Sequence, residues 1–195
     1  MATYVVFLGP PGSGKGTQAK LVAQKFGLPQ ISTGDLFRAL RTQQTEFARK
    51  IGQILDSGGL VPDEDTIQMV KDRLGQPDCA KGVILDGFPR TLGQAKALDE
   101  LLDKAFKSRV ALVPVFDVSR EEVVKRILDR AHKENRADDT PEVAAKRFEV
   151  YLKDTEPLIA YYTAKGVVKT LDASRSIEEV TADLMPLIQG AVSKA

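Results

Sequence analysis

Five short apolar runs, rich in β-branched residues, recur along the chain: Tyr4–Leu8, a brief one around Leu28–Ile31, Val83–Leu85, Val110–Phe116 and Val167–Leu171. They are apolar on both faces, which predicts the covered strands of a parallel sheet. Between them, apolar positions fall at helical spacing. Ile67, Val70 and Leu74 share one face of a helix predicted over Asp63–Leu74, and Val123, Ile127 and Ala131 do the same after Ser119. Start signals accompany these helices. Ser119 with Glu122, and Ser176 with Glu179, have the spacing of capping boxes. Thr140-Pro141 reads as a cap and a first-turn proline, and Asp63-Glu64-Asp65 places acids in a first turn after Pro62. This alternation predicts an α/β fold of three layers, a five-stranded parallel sheet flanked by helices and joined by right-handed crossovers.

Two stretches break the alternation. Thr33 to Pro62 is helical but polar and closes on Asp56-Ser57-Gly58-Gly59; Ala131 to Thr140 is short and dense in charge. Both are expected to be excursions from the sheet edge, where α/β proteins carry the parts that grip ligands.

Composition narrows the picture. With 195 residues, no internal repeat and no flexible linker, one continuous domain is expected. The net charge of +1 gives no global reason for a nucleic-acid or membrane partner, so any anion site must come from local clustering of arginines. Cys79 is the only cysteine, which excludes an internal disulfide and a zinc site built on several thiolates. The apolar run near the N-terminus is too short for a signal peptide and lacks a basic flank, and no segment reaches membrane-spanning length. The expectation is a soluble, cytoplasmic chain.

The sharpest local signal is Gly9-Pro-Pro-Gly12-Ser13-Gly14-Lys15-Gly16-Thr17, between the first strand and a helical pattern over Gln18–Phe26. Glycines let backbone N–H groups curl around a phosphate oxygen, the following helix adds its positive end, and Lys15 supplies a charge between β- and γ-phosphates. Gly16 stands where the general motif has Ser or Thr, and the hydroxyl comes one place later at Thr17. The usual metal arrangement therefore does not transfer unchanged.

GPPGSGKGTQ, with Gly-Thr after the lysine, resembles nucleoside monophosphate kinases of the adenylate kinase type. Further motifs follow in order: Ser32-Thr33-Gly34-Asp35-Leu36-Phe37-Arg38, Gly59-Leu60-Val61-Pro62-Asp63, Asp86-Gly87-Phe88-Pro89-Arg90 with Gln94, Arg126 with Arg130, Arg136 with Asp138 and Asp139, and Arg147. The resemblance extends from Val6 to about Val180. It implies a P-loop kinase domain over residues 1–195, an NMP-binding segment at 32–61 and a short lid at 130–140. It also implies a monomer that binds ATP, AMP and ADP, uses Mg²⁺ and lacks structural zinc.

Phosphoryl transfer between two nucleotides crowds anionic phosphates together and needs positioned positive charge, for which arginine's planar fork is well suited. The resemblance implies that Lys15, Arg90, Arg130, Arg136 and Arg147 are catalytic. It assigns Gly12, Ser13, Gly14, Lys15, Gly16 and Thr17 to ATP, with Arg126 stacked on the adenine, Arg130, and the backbone near Arg175. It assigns Thr33, Arg38, Gly59, Leu60, Val61, Gly87, Phe88, Pro89, Arg90, Gln94, Arg136 and Arg147 to AMP. Asp86, ending an apolar strand beside the phosphate loop, is placed to organise Mg²⁺ through water. Gln94 can match the N6/N1 edge of adenine, and Asp63 is the adenylate-type residue after Pro62. Arg126 also has the spacing for an ion pair with Glu122. Arg41, Arg49, Arg109, His132 and Cys79 read as surface residues. The function implied is reversible Mg-dependent transfer from ATP to AMP. A UMP/CMP kinase on the same scaffold and a P-loop nucleotide-binding switch are the alternatives.

Overall fold

The structure, a computed structural model, describes residues 2–134 and 140–194, without the side chains of residues 130–134. Strands β1 (Thr3–Phe7), β2 (Gln30–Ser32), β3 (Gly82–Asp86), β4 (Val110–Asp117) and β5 (Val168–Asp172) form a five-stranded sheet in the order β2-β3-β1-β4-β5, each pair parallel. Each predicted run becomes a strand. Helix α1 (Lys15–Phe26) carries the chain from central β1 out to β2, whereas α5 (Leu92–Phe106) carries it from β3 across to β4 on the other side of β1. That reversal puts the carboxyl end of β1 at the topological switch point, where open α/β sheets bind ligands. Register levels the neighbouring strand ends: Asp86 pairs with Phe7 on one side and with Ser32 on the other.

Alternation along β1 divides the core. Tyr4, Val6 and Leu8 join the cluster beneath α4 (Asp63–Leu74), α5 and α8 (Pro157–Thr163), while Val5 and Phe7 join the one beneath α1 and α9 (Ile177–Ser193). Full burial of each such side chain is worth about 1.5–3 kcal/mol, so β1 is anchored from both faces. At the start of β3, Gly82 has φ +112°, and a Cβ there would lie 1.9 Å from the Thr3 carbonyl oxygen. Only glycine lets the two central strands begin side by side.

The polar stretch from Thr33 resolves into α2 (Thr33–Leu40) and α3 (Glu46–Asp56), capped by the Ser32 and Thr45 hydroxyls. Phe37, Ile51 and Val61 give this excursion a small core of its own. Helices α6 (Arg120–Glu134) and α7 (Pro141–Val150) flank the other excursion, and Val123, Ile127 and Ala144 pack between them. Ala131's side chain, with Asn135, Arg136, Asp138 and Asp139, falls outside the described residues.

The Ser176–Glu179 capping box forms in full, and Thr140 caps α7 ahead of Pro141. The Ser119 box forms by half: its hydroxyl accepts from the Glu122 N–H at 3.3 Å, but the Glu122 carboxylate turns to Arg126 instead. Arg126 offers that carboxylate a charged donor, a stronger partner than a backbone N–H. Cys79 is buried rather than on the surface, tucked by the 3₁₀ turn Pro77–Cys79 into the cluster containing Tyr4 and Val83. A free thiol packs as a small hydrophobe, so a polar flanking sequence did not predict its burial.

Candidate active site

After β1 the backbone takes positive φ at Gly9, Gly12 and Gly14, and α1 begins at Lys15 with Gly14 as its left-handed cap. A Cβ on Gly12 would lie 3.0 Å from Ile127 Cγ1 and 3.1 Å from the Val123 carbonyl, so α6 rests directly against the loop. No side chain caps α1. Its first-turn N–H groups therefore lack helical acceptors beside the concave loop. Lys15 Nζ donates to the Gly9 and Pro10 carbonyls, each at 2.7 Å, and lies 3.2 Å from the hydroxyl of buried Ser13. Asp86 sits beside this helix start, as the strand register requires. A Cβ on Gly16 would be 3.5 Å from Asp86 Oδ2, which accepts from Gln30 Nε2 at 2.9 Å. Gly16 thus keeps side-chain bulk off the carboxylate.

Arginines converge on the same cleft. Arg90 donates through Nε to the Gly87 carbonyl at 2.8 Å, and that carbonyl also accepts from the Thr33 hydroxyl at 2.8 Å. Burial pushes the Arg90 guanidinium below its usual range; nearby Arg147 and Arg38 push the same way, against the opposing pull of Asp86. Arginine nonetheless keeps its proton in proteins, so three mutually repelling cations meet at one wall. Arg38 pairs with Asp35 along α2, and Arg147 reaches from α7 to the Leu55 carbonyl of α3 at 3.4 Å. Gly58 fits against Val143 and Arg147, so the first excursion touches α7.

The turn after β3 has a cis Phe88-Pro89 bond and is tied at Arg90 from two sides. The Arg90 N–H donates to Gln94 Oε1 at 2.8 Å, and the Arg90 carbonyl accepts from Thr155 Oγ1 at 2.9 Å. Thr155 belongs to a π-helical turn, Tyr151–Thr155, between α7 and α8. Pro157 brings no N–H for the carbonyl four residues back, which favours that irregular turn. Gln94 is 2% exposed, and its Nε2 donates to Asp63 Oδ1 at 2.8 Å. It is therefore not a solvated helix residue.

At the far end Arg126 forms the expected pair with Glu122, Nε to carboxylate at 2.8 Å, and also donates to the carbonyls of Ala173 at 2.8 Å and Ser174 at 3.2 Å. Arg175 pairs with Asp172 and Asp183 and lines the cleft. Buried Gln18, which follows Thr17 in the loop motif, bonds through Nε2 to the Ile177 carbonyl at 2.9 Å and accepts from Thr181.

One cleft of about 590 Å³ joins these parts. Of the residues read from sequence, Gly12, Gly14, Lys15, Gly16, Thr17, Asp86, Arg126 and Arg175 line it. So do Arg38, Gly59, Leu60, Gly87, Pro89, Arg90 and Arg147. Ser13, Thr33, Val61, Phe88 and Gln94 are buried next to lining residues. Arg136 and the Arg130 side chain lie outside the described residues. The sequence reading left out Gln30, Asp129, Tyr151, Thr155 and the tie made by Gln18. Only Gln18 had a signal, its place in the loop motif.

Comparison with known proteins agrees with this geometry. A family model described as adenylate kinase matches residues 7–167. An adenylate kinase of Archaeoglobus fulgidus is 44% identical over 95% of this chain and 97% of its own length. One of Thermobifida fusca is 46% identical over 95% and 97%, and one of Mycobacteroides abscessus 49% over 91% and 94%. The chain belongs to the adenylate kinase family. As a member it is a phosphotransferase of the nucleoside monophosphate kinase class, with the family's P-loop kinase fold. Among the described residues, no helix is long and apolar enough to cross a membrane, and no three His, Cys, Asp or Glu cluster to hold a metal.

Proposed function

We propose that this chain catalyses reversible, Mg-dependent transfer of the γ-phosphoryl group of ATP to AMP, giving two ADP. The observation that carries this reading is the meeting of Arg38, Arg90 and Arg147 in the cleft that also holds the phosphate loop. One loop accounts for a donor triphosphate; three further guanidiniums call for a second phosphate. Their mutual repulsion falls when a phosphate dianion enters, so binding and charge compensation reinforce each other.

In the forward direction an oxygen of the AMP phosphate bonds to the γ-phosphorus as the bond to the bridging oxygen of the departing ADP breaks. Lys15 leaves the Gly9 and Pro10 carbonyls to follow the charge between β- and γ-phosphates. Arg90 and Arg38 hold the acceptor phosphate, and Arg147 bears on the transferring group together with Arg130 and Arg136. Asp86 fits Mg²⁺: a carboxylate beside the loop, with Oδ2 shared with Gln30, suits an ion that keeps most of its waters. Mg²⁺ would neutralise donor phosphate charge, with Asp86 holding it through water. The segment at 32–61 closes over AMP and the one at 130–140 over ATP, excluding water from the transfer. The small core of Phe37, Ile51 and Val61 supports motion of the first as a unit.

The test is ADP formation from ATP with AMP, UMP or CMP offered separately, with and without Mg²⁺. Fast Mg-dependent production with AMP alone is expected. Preference for UMP or CMP overturns the acceptor; no transfer to any acceptor overturns the reaction.

A further inference from the structure

We infer that Asp63 sets acceptor-base selectivity by locking the amide of Gln94 in one of its two orientations. This rests on reading the cleft as the AMP site. A glutamine amide has nearly the same shape after a 180° flip, so alone it can present donor and acceptor in either order. Here both ends are held. Asp63, the first residue of α4, accepts from Gln94 Nε2 through Oδ1 at 2.8 Å and from Thr91 Oγ1 through Oδ2 at 2.7 Å. The Arg90 N–H donates to Gln94 Oε1 at 2.8 Å. A carboxylate can only accept and a backbone N–H can only donate, so a flipped amide would meet an acceptor with its oxygen and a donor with its NH₂. Gly93 makes the arrangement reachable: a Cβ there would lie 2.8 Å from Asp63 Oδ2.

The two bonds leave one lone pair on Oε1 and one hydrogen on Nε2, in a side chain 2% exposed. Buried polar capacity of this kind ordinarily finds a partner. A fixed acceptor next to a fixed donor matches the 6-amino group and N1 of adenine. It opposes hypoxanthine, whose 6-oxo group would face Oε1 and whose N1–H would face the Nε2 hydrogen. A free glutamine would accept either base by flipping, so discrimination lies in the pair Asp63–Gln94. Asp63 is a positioning residue that need not touch the nucleotide.

The experiment compares kcat/KM for AMP and for inosine monophosphate, with MgATP as donor, in the wild type, Asp63→Asn and Gly93→Ala. Asparagine can offer either its oxygen or its NH₂ to Gln94 and so removes one of the two restraints. The expected result is that the AMP preference narrows tenfold or more, with kcat/KM for inosine monophosphate rising in absolute terms. Loss of fold or of general positioning cannot produce that gain. Gly93→Ala, whose methyl displaces the same carboxylate, shifts the ratio in the same direction and answers the question if Asp63→Asn does not fold. An unchanged ratio, or a proportional fall for both acceptors, overturns the lock. A wild type that fails to phosphorylate AMP overturns the acceptor reading instead.

Discussion

Replacing Arg90 with methionine separates the catalytic from the structural use of one side chain. The variant keeps the aliphatic stem and both backbone bonds, Arg90 N–H to Gln94 and Thr155 to the Arg90 carbonyl. It loses the 2.8 Å bond from Nε to the Gly87 carbonyl, which costs about 0.5–1.5 kcal/mol. Against this, it removes a desolvated cation that Arg147 and Arg38 repel and only Asp86 among the nearby charges attracts. The two effects oppose, so net stability is expected to change by less than about 1 kcal/mol, or roughly 2–4 °C in Tm for a chain of this size. Function has no such offset. Loss of one preorganised donor on a developing phosphate charge costs about 100- to 1,000-fold in turnover. Saturating ADP at about 100 times its Kd adds roughly 2.7 kcal/mol to a binding-competent fold, and the variant should lose much of that thermal shift. A coupled assay of kcat/KM for AMP, paired with thermal denaturation with and without ADP, measures each part. Activity within tenfold of wild type in a folded variant refutes a phosphate role for Arg90, and a Tm drop of about 8 °C or more refutes the opposing-effects account.

Gln18→Leu removes two bonds from α1 to α9, together about 2 kcal/mol, and should raise KM for ATP by up to about 30-fold. KM for AMP should move less than about twofold, which steady-state kinetics with each substrate varied will read. Gly82→Ala forces a methyl into the Thr3 backbone at positive φ and should cost about 3 kcal/mol or more, seen as a Tm lower by roughly 6–12 °C. Burial, helped by Glu156 and Asp117, lifts the Tyr151 hydroxyl to about 12, so the unfolded chain releases this proton first as pH rises past 10. Stability from this group is complete below pH 10 and lost towards pH 12; Tyr151→Phe should flatten that fall in urea melts taken across the range.

Much of the fold was legible because β1 and β3 are buried on both faces, which leaves an unbroken apolar run. Helix α4 was legible because Pro62 and three first-turn acids mark the start of its periodic face. The phosphate loop was legible because its glycines are required by backbone geometry rather than by packing. Arg41, Arg49 and Arg109 are exposed, as charge without a motif suggested. Partner choice was not legible. Glu122 had the spacing for both a capping box and an ion pair, and spacing cannot rank a backbone N–H against a guanidinium. Gln94 was read as facing a base, yet its bonds to Asp63 and Arg90 depend on two helix starts meeting across 31 residues of sequence. Tyr151 and Thr155 reach the cleft through a π turn, whose shifted helical phase no regular periodicity forecasts.

Gly12 stands where the loop and α6 occupy the same few ångströms, and this ties the evolutionary freedom of distant positions together. A side chain at 12 would press on the helix that carries Arg126 to the Ala173 and Ser174 carbonyls, while a bulkier residue at 127 would press on the loop. The Arg126 anchor and the glycine-rich loop therefore share one mechanical boundary. A redesign of the donor site that exchanges α6 must bring with it a helix face of the same low profile, or it will alter the phosphate grip in a site it was never meant to reach.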